Sequence, residues 1–175
     1  MNKSVLISIR PKWCEKIASG QKTIEVRKTR PKINAPFKCY IYCTKGALIL
    51  ARGLEILNGC VIGEFTCSHI ELIQANHDIV KPFFFTEIPY IDFFNKSQLT
   101  EFELLVYLGD HDGYGWHISD LVIYDKPKLL HNFYRYCKKD VSYTDLCLCC
   151  KKNKQGVCKN FLTRPPQSWC YVEEL

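Results

Sequence analysis

The arrangement of residues 8–27 restricts the fold of this chain more than any other feature of its sequence. Pro11 suits the first position of a helix, because its missing N–H would have no partner there. Gly20 stands where a left-handed helix cap is expected, and alternating apolar and polar residues follow it, as in a half-buried strand. The segment therefore predicts the end of a strand, a helix over 11–19 and a second strand over 23–28.

The second of these strands carries ionic side chains on one face. Glu25 and Arg27 are two positions apart, so their side chains point the same way and lie about 7 Å apart. Lys22 stands at the turn into the strand and adds a third charge. An exposed network of such charges would contribute little to stability, whereas the same charges in a cleft would form a binding site. The pattern alone leaves both interpretations open.

Charge is distributed in blocks along the 175 residues. Residues 1–32 carry a net charge of +7, residues 33–125 carry −7, residues 126–164 carry +8 and the last eleven carry −2. If the first and last strands pair in a barrel, the two basic ends form one positive face, and such a face attracts phosphates. A solvated, lysine-rich surface is the alternative interpretation.

The composition indicates one folded domain over 1–175. The chain is 47% apolar and 13% aromatic, which argues against disorder, and it is long enough to bury one core. No apolar run reaches the roughly 18 residues that span a bilayer, and the N-terminus lacks the features of a signal peptide. We therefore expect a cytoplasmic protein that does not enter a membrane.

Short β-branched and aromatic runs predict more strands than helices. The predicted strands are 4–9, 23–28, 38–44, 60–73, 121–124 and 169–172. Besides 11–19, a helix is predicted over 101–108, where Thr100 and Glu103 form a capping box, and a short helix is predicted near 128–137, after a proline. This pattern favours a small mixed barrel with helices at its rim.

Three blocks of the sequence resemble the ASCH family, small domains of a wider PUA-like group. The first is the G-x-K-x-x-E-x-R pattern of residues 20–27, and the second spans 116–121 and runs into a strand. The third, over 164–172, resembles the closing strand of a phage or prophage subgroup. The resemblance implies an α+β fold, a PUA-like small mixed β-barrel with peripheral helices.

The resemblance also implies an RNA- or nucleotide-binding cleft between the first helix and the following strand. Lys22 and Arg27 would then bind phosphate or a base edge, and Glu25 would accept hydrogen bonds from a base amino group. Arg suits bidentate recognition better than Lys does. Arg10 and Lys12, at the start of the same helix, would extend the phosphate-binding track.

A small hydrolase is the second hypothesis. Some ASCH-like proteins resemble an amidohydrolase that acts on acylated cytidine, with a lysine at the position of Lys22 and a threonine at the position of Glu25. This chain has Glu25 at the position of that threonine and so lacks its hydroxyl, although Thr23 directly follows Lys22 in the sequence. Lys22 and Glu25 would be the catalytic residues of such an enzyme, acting on a modified nucleoside or on RNA. His117 is a further acid–base candidate, for which a structural role is the favoured interpretation.

An interaction protein without a nucleic-acid ligand is the third hypothesis, and its protein partner is unknown. In this hypothesis the aromatic-rich segment 74–99 and the cysteine-rich loop near the C-terminus contact a host partner. The favoured interpretation of segment 74–99 itself is a loop that packs its aromatic rings onto the barrel. The alternative for this segment is a lid or a platform on which bases stack.

Cysteines are concentrated near the C-terminus. Eleven cysteines, an odd number, in a chain without a signal peptide do not indicate a disulfide framework. Six of them lie within residues 137–170, which we predict to be a cysteine-rich loop before the closing strand. Cys147, Cys150, Cys158 and Cys170 have an approximate zinc-ligand spacing. They predict a structural zinc site, and the alternative is a metal-free loop with reduced thiols.

Overall fold

A computed structural model describes residues 3–46, 58–76, 83–135 and 162–174. The described part of the chain has an α+β fold, as predicted, with eight strands, three α-helices and one short 3-10 helix. The strands are β1 (Ser4–Ile9), β2 (Ile24–Arg27), β3 (Phe37–Cys43), β4 (Val61–Asn76), β5 (Phe83–Phe85), β6 (Gly113–Lys128), β7 (Phe133–Arg135) and β8 (Trp169–Glu174). The helices are α1 (Pro11–Ala18), α2 (Tyr90–Ser97) and α3 (Glu101–Leu108).

The strands form one mixed sheet in the order β2-β6-β4-β3-β1-β8-β7, and β5 pairs with β4. β1 is parallel to β3 and antiparallel to β8, so the first and last strands pair, which the sequence left as a condition for one positive face. β2 lies at one edge of the sheet, yet the Arg27 side chain donates to the Ser8 carbonyl of β1 at 2.7 Å. The sheet therefore curls back on itself, and a side chain rather than backbone pairing links this edge to β1.

Two apolar cores lie on opposite faces of β2 and β6. One core buries α1 through Cys14 and Ile17 and includes Trp116. The other lies beneath α2 and α3 and includes Ile24 and Phe93. Because successive strand residues alternate between faces, Ile24 points into the second core while Glu25 points to the face of Trp116, its cross-strand partner.

The prediction of helix α3 is confirmed to the residue. The Thr100 hydroxyl accepts from the Glu103 N–H at 3.1 Å, and the Glu103 carboxylate accepts from the Thr100 N–H at 2.9 Å. Gly109 ends the helix with a positive φ of 69°, a conformation that glycine adopts without steric penalty. Among the helices of the described ranges, none has the length and apolar character needed to cross a bilayer.

The predicted helix near 128–137 is wrong over its described part. A 3-10 helix covers only Leu130–Asn132, and β7 follows at once. Phe133 is fully buried and pairs with Glu174 of β8. Pairing with β8 and burial of this ring thus override the local helical pattern.

The aromatic segment 74–99 is more ordered than the predicted loop. Its described residues include β5 and α2, and Phe84 and Phe93 pack into the core beneath the helices. The prediction that aromatic rings pack onto the sheet is therefore confirmed for these two. The helix was missed because eight residues with an N-terminal proline give a short periodic signal.

Candidate functional site

A pocket of about 330 Å³ lies where the edge strand β2 meets β1. Helix α1 contributes Trp13 to its wall, and α3 contributes Tyr107. Arg10, which is exposed, lines the same pocket, so the pocket reaches the protein surface. It is an opening at the curled seam of the sheet rather than a sealed cavity in the core.

Lys22, Glu25 and Arg27 all line this pocket and form one network. One carboxylate oxygen of Glu25 lies 3.4 Å from Lys22 Nζ, and the other lies 2.9 Å from Arg27 Nη2. The three residues are 2%, 6% and 7% exposed. The strand geometry thus brings the three predicted residues together. Because all three are buried, they do not form the solvent-exposed network that was the alternative interpretation.

The remaining contacts of the two cations fix their positions. Lys22 Nζ donates to the Ser97 carbonyl at the end of α2, at 2.5 Å, and lies 5.0 Å from the centre of the Trp13 ring. Arg27 Nη2 donates to the Ser8 carbonyl, and Arg27 Nε is buried without a hydrogen-bond partner in the described structure. Each cation is therefore held by backbone as well as by Glu25, which preorganises the site.

Burial changes the protonation chemistry of the pocket. Desolvation lowers the pKa of Lys22, and the nearby Glu25 carboxylate opposes this shift. Desolvation likewise raises the pKa of the Tyr107 phenol. Both changes follow from the same cause, because removal from water disfavours the charged form of either group.

The two residues predicted to extend the site, Arg10 and Lys12, differ in their relation to the pocket. Arg10 lines the pocket. Lys12 is not among its lining residues and instead pairs with Glu103 of α3 at 3.0 Å, with its ammonium 4.4 Å from the centre of the Trp13 ring. Arg10 is thus placed to meet a ligand directly, whereas Lys12 contributes charge beside the pocket.

The C-terminal segment before β8 supplies a wall that sequence reasoning missed. Gln167 and Ser168 line the pocket. Ser8 holds the segment in place, because its hydroxyl donates to the Pro166 carbonyl at 2.7 Å and its N–H donates to the Ser168 carbonyl at 2.9 Å. The only sequence signal was the third block of resemblance, which covers these residues without indicating that they reach the first helix.

His117 lies away from the pocket. It pairs with Ile24 in the register of β2 and β6, so its side chain projects opposite to Glu25. Its Nε2 lies 3.4 Å from Oε1 of Glu71, a fully buried carboxylate with no hydrogen bond from the described residues. No motif pointed to Glu71, since alternation in β4 predicts only that one face is buried.

Three of the four predicted zinc ligands, Cys147, Cys150 and Cys158, lie outside the described residues. Cys170 lies on β8, where burial raises the pKa of its thiol to about 11. Within the described ranges, no group of three or more His, Cys, Asp or Glu side chains is arranged to hold a metal ion. The zinc site therefore stays a prediction.

Comparison with known proteins identifies the fold. No protein-family model matches the chain, and no curated protein matches it. Among solved structures, ASCH from Zymomonas mobilis is 19% identical, with 98% of this chain and 88% of that chain covered and a TM-score of 0.56. A single-residue mutant of the same protein is 18% identical, with 98% and 91% covered and a TM-score of 0.56. The chain shares the fold of this ASCH protein.

Proposed function

We propose that the chain is a cytoplasmic, phage-type member of the ASCH family that binds RNA or a nucleotide in the pocket between α1 and β2. Support comes from three sources: the sequence blocks that resemble the family, the shared fold and the chemistry of the pocket. The third block forms the wall before β8 and most of β8 itself, as a closing strand of that subgroup would.

The excess of buried positive charge carries the proposal. Lys22 and Arg27 are almost completely buried and share a single carboxylate, Glu25. An unbalanced charge is costly in a partly desolvated site, and an anion from the ligand offsets it. A phosphate group supplies that charge, while Trp13 and Tyr107 on the walls offer rings for base stacking.

Substitution of Arg10 tests this proposal without disturbing the fold. Arg10 is exposed, and its side chain makes no cap hydrogen bond to α1. We expect Arg10→Ala to weaken binding of a fluorescent octaribonucleotide by about 10-fold, as for a lost hydrogen bond to a charged group. The salt dependence of log K should also fall by about 0.7, the value for one phosphate contact on a single strand.

Lys12→Ala is the matched control, because Lys12 is an exposed cation of the same helix that already has a partner in Glu103. Anisotropy titrations of both variants should show a clearly smaller loss for Lys12→Ala. Equal losses would place binding outside the pocket. If the wild-type chain binds no RNA, the remaining hypothesis is an interaction protein that has no nucleic-acid ligand.

A hydrolase acting at the same pocket is the second candidate, and one observation favours it. Burial lowers the pKa of Lys22, which brings its amine nearer to the range in which a lysine works as a general base. Because the neutral amine is the base, turnover should rise with pH through this lowered pKa. We expect release of the acyl group from an N-acylated cytidine, or cleavage of RNA, to be abolished in Lys22→Ala while binding persists. Turnover that is unchanged in Lys22→Ala would remove this candidate.

We also propose that Cys147, Cys150, Cys158 and Cys170 hold one structural zinc ion. Thiolates at such spacing suit tetrahedral zinc. Metal analysis of protein purified without added metal should find about one zinc per chain, as expected for a tight structural site, and a Cys147→Ser/Cys150→Ser variant should lose it. Less than about half an equivalent in the wild-type protein would count against the site.

A further inference from the structure

We propose that the ligand is a single-stranded polynucleotide that leaves the pocket along residues 28–36 and β8 and reaches a second groove. This inference rests on the proposed function and specifies its ligand. Residues 28–36, here called the basic loop, connect β2 to β3.

The basic loop joins two concave surfaces. It begins next to Arg27 in the pocket, and Ile33, Asn34 and Pro36 at its far end line a groove of about 690 Å³. Lys3 and Lys38 line the same groove. The basic loop therefore connects the pocket to a second depression.

Two side chains of β8 hold the basic loop against the sheet. Trp169 Nε1 donates to the Thr29 hydroxyl at 3.0 Å, and the Lys32 N–H donates to the Tyr171 hydroxyl at 2.6 Å. These two contacts fix the loop beside β8, so its side chains are presented from a supported backbone.

The cations of the basic loop are exposed and lack acidic partners. Lys28, Arg30 and Lys32 are all exposed, and none of them forms an ion pair with a described residue. Two other exposed lysines, Lys12 and Lys38, do pair with carboxylates, of Glu103 and Glu64 respectively. Exposed cations without acidic partners along a supported loop favour contact with a nucleic-acid backbone.

Aromatic rings of β8 lie beside the basic loop. Trp169 and Tyr171 are half-buried and lie side by side on β8, with ring centres 5.5 Å apart. Rings of this kind accept stacked bases of any sequence. Ser8 lines the pocket and Ser4 lines the groove. The two residues are four positions apart on β1, which corresponds to about 13 Å. That distance matches about four nucleotides at the rise of about 3.4 Å per stacked nucleotide.

Binding measured against ligand length tests the inference. A ribonucleoside 5′-monophosphate and an octaribonucleotide are titrated into the wild-type protein and into Arg30→Ala/Lys32→Ala. Both substitutions keep the backbone N–H of residue 32 that bonds Tyr171. We expect the variant to bind the monophosphate as the wild type does and to bind the octamer at least about 10-fold more weakly. The slope of log K against log salt concentration for the octamer should fall by about 1.4, the value for two phosphate contacts.

Lys126→Ala/Lys128→Ala is the control with the same change of charge. Both lysines lie on β6, which β4, β3 and β1 separate from β8 in the sheet. The inference is overturned if the two double variants weaken octamer binding equally, or if the wild type binds the octamer no more tightly than the monophosphate. In either case the proposed function stands. If the wild type binds neither ligand, the proposed function and this inference both fail.

Discussion

Glu25→Ala should lower the free energy of unfolding by about 3–5 kcal/mol, the range for breaking a buried ion pair from one side. The substitution leaves Lys22 and Arg27 buried without the carboxylate that they share. Glu87→Ala is the control, because Glu87 is half exposed and pairs with His69 near the surface. It should cost no more than about 1 kcal/mol. Denaturant unfolding followed by tryptophan fluorescence measures both variants, and equal losses would show that the network does not stabilise the fold.

The deficit of Glu25→Ala should depend on pH in one direction. Desolvation already lowers the pKa of Lys22, and Glu25 opposes this shift, so the substitution lowers the pKa further. Below that folded-state pKa, Lys22 is charged in both states and the deficit is largest. As pH rises from the folded-state pKa toward the ordinary lysine value of about 10.4, the folded state binds fewer protons than the unfolded state, so stability recovers. A deficit that stays constant between pH 7 and pH 10 would contradict this origin.

Arg27→Ala should reduce nucleotide affinity by about 10–100-fold, as expected when hydrogen bonds to a charged group are lost. Lys22 and Glu25 then remain as a neutral pair, so the pocket loses its excess positive charge. For the same reason the variant should lose less stability than Glu25→Ala, although the Ser8 carbonyl loses its donor. Anisotropy titration with an octaribonucleotide measures the affinity, and denaturant unfolding confirms that the variant is folded.

Arg27→Lys separates charge from geometry. Lysine keeps the positive charge but lacks the planar fork that reaches Ser8 and Glu25 from one guanidinium. Affinity between that of Arg27→Ala and the wild type is the expected result. If Arg27→Ala binds the octamer as tightly as the wild type does, the pocket is not where the phosphate binds.

Local signals in the sequence predicted the elements that frame the site. Pro11 and Gly20 mark the ends of the first helical segment, and the capping box at Thr100 defines the start of α3. These signals act between neighbouring residues, so they can be read without knowledge of the fold. The alternation that put Glu25 and Arg27 on one face is equally local.

The rest of the site depends on contacts between distant parts of the chain. Lys22 meets the Ser97 carbonyl 75 residues away, and the Ser8 hydroxyl meets the Pro166 carbonyl 158 residues away. No periodicity encodes such partners. The burial of Lys22 and Arg27 follows from these contacts, which explains why the residue pattern alone could not establish a cleft.

The incorrect prediction of a helix near 128–137 also results from contacts between distant parts of the chain. The residues after Pro127 allow a helix, yet Phe133 is buried because β7 pairs with β8. Glu71 illustrates the complementary case, a carboxylate placed on the buried face of β4, where an apolar residue is expected.

A crystal structure of the protein with a short single-stranded oligoribonucleotide would show whether the pocket between α1 and β2 binds RNA. We expect one nucleotide in the pocket, with a phosphate oxygen about 3 Å from a nitrogen of Arg10, Lys22 or Arg27, the distance of a charge-assisted hydrogen bond. An oligoribonucleotide bound only at another surface, with this pocket empty, would show that Lys22, Glu25 and Arg27 do not form a nucleic-acid-binding site.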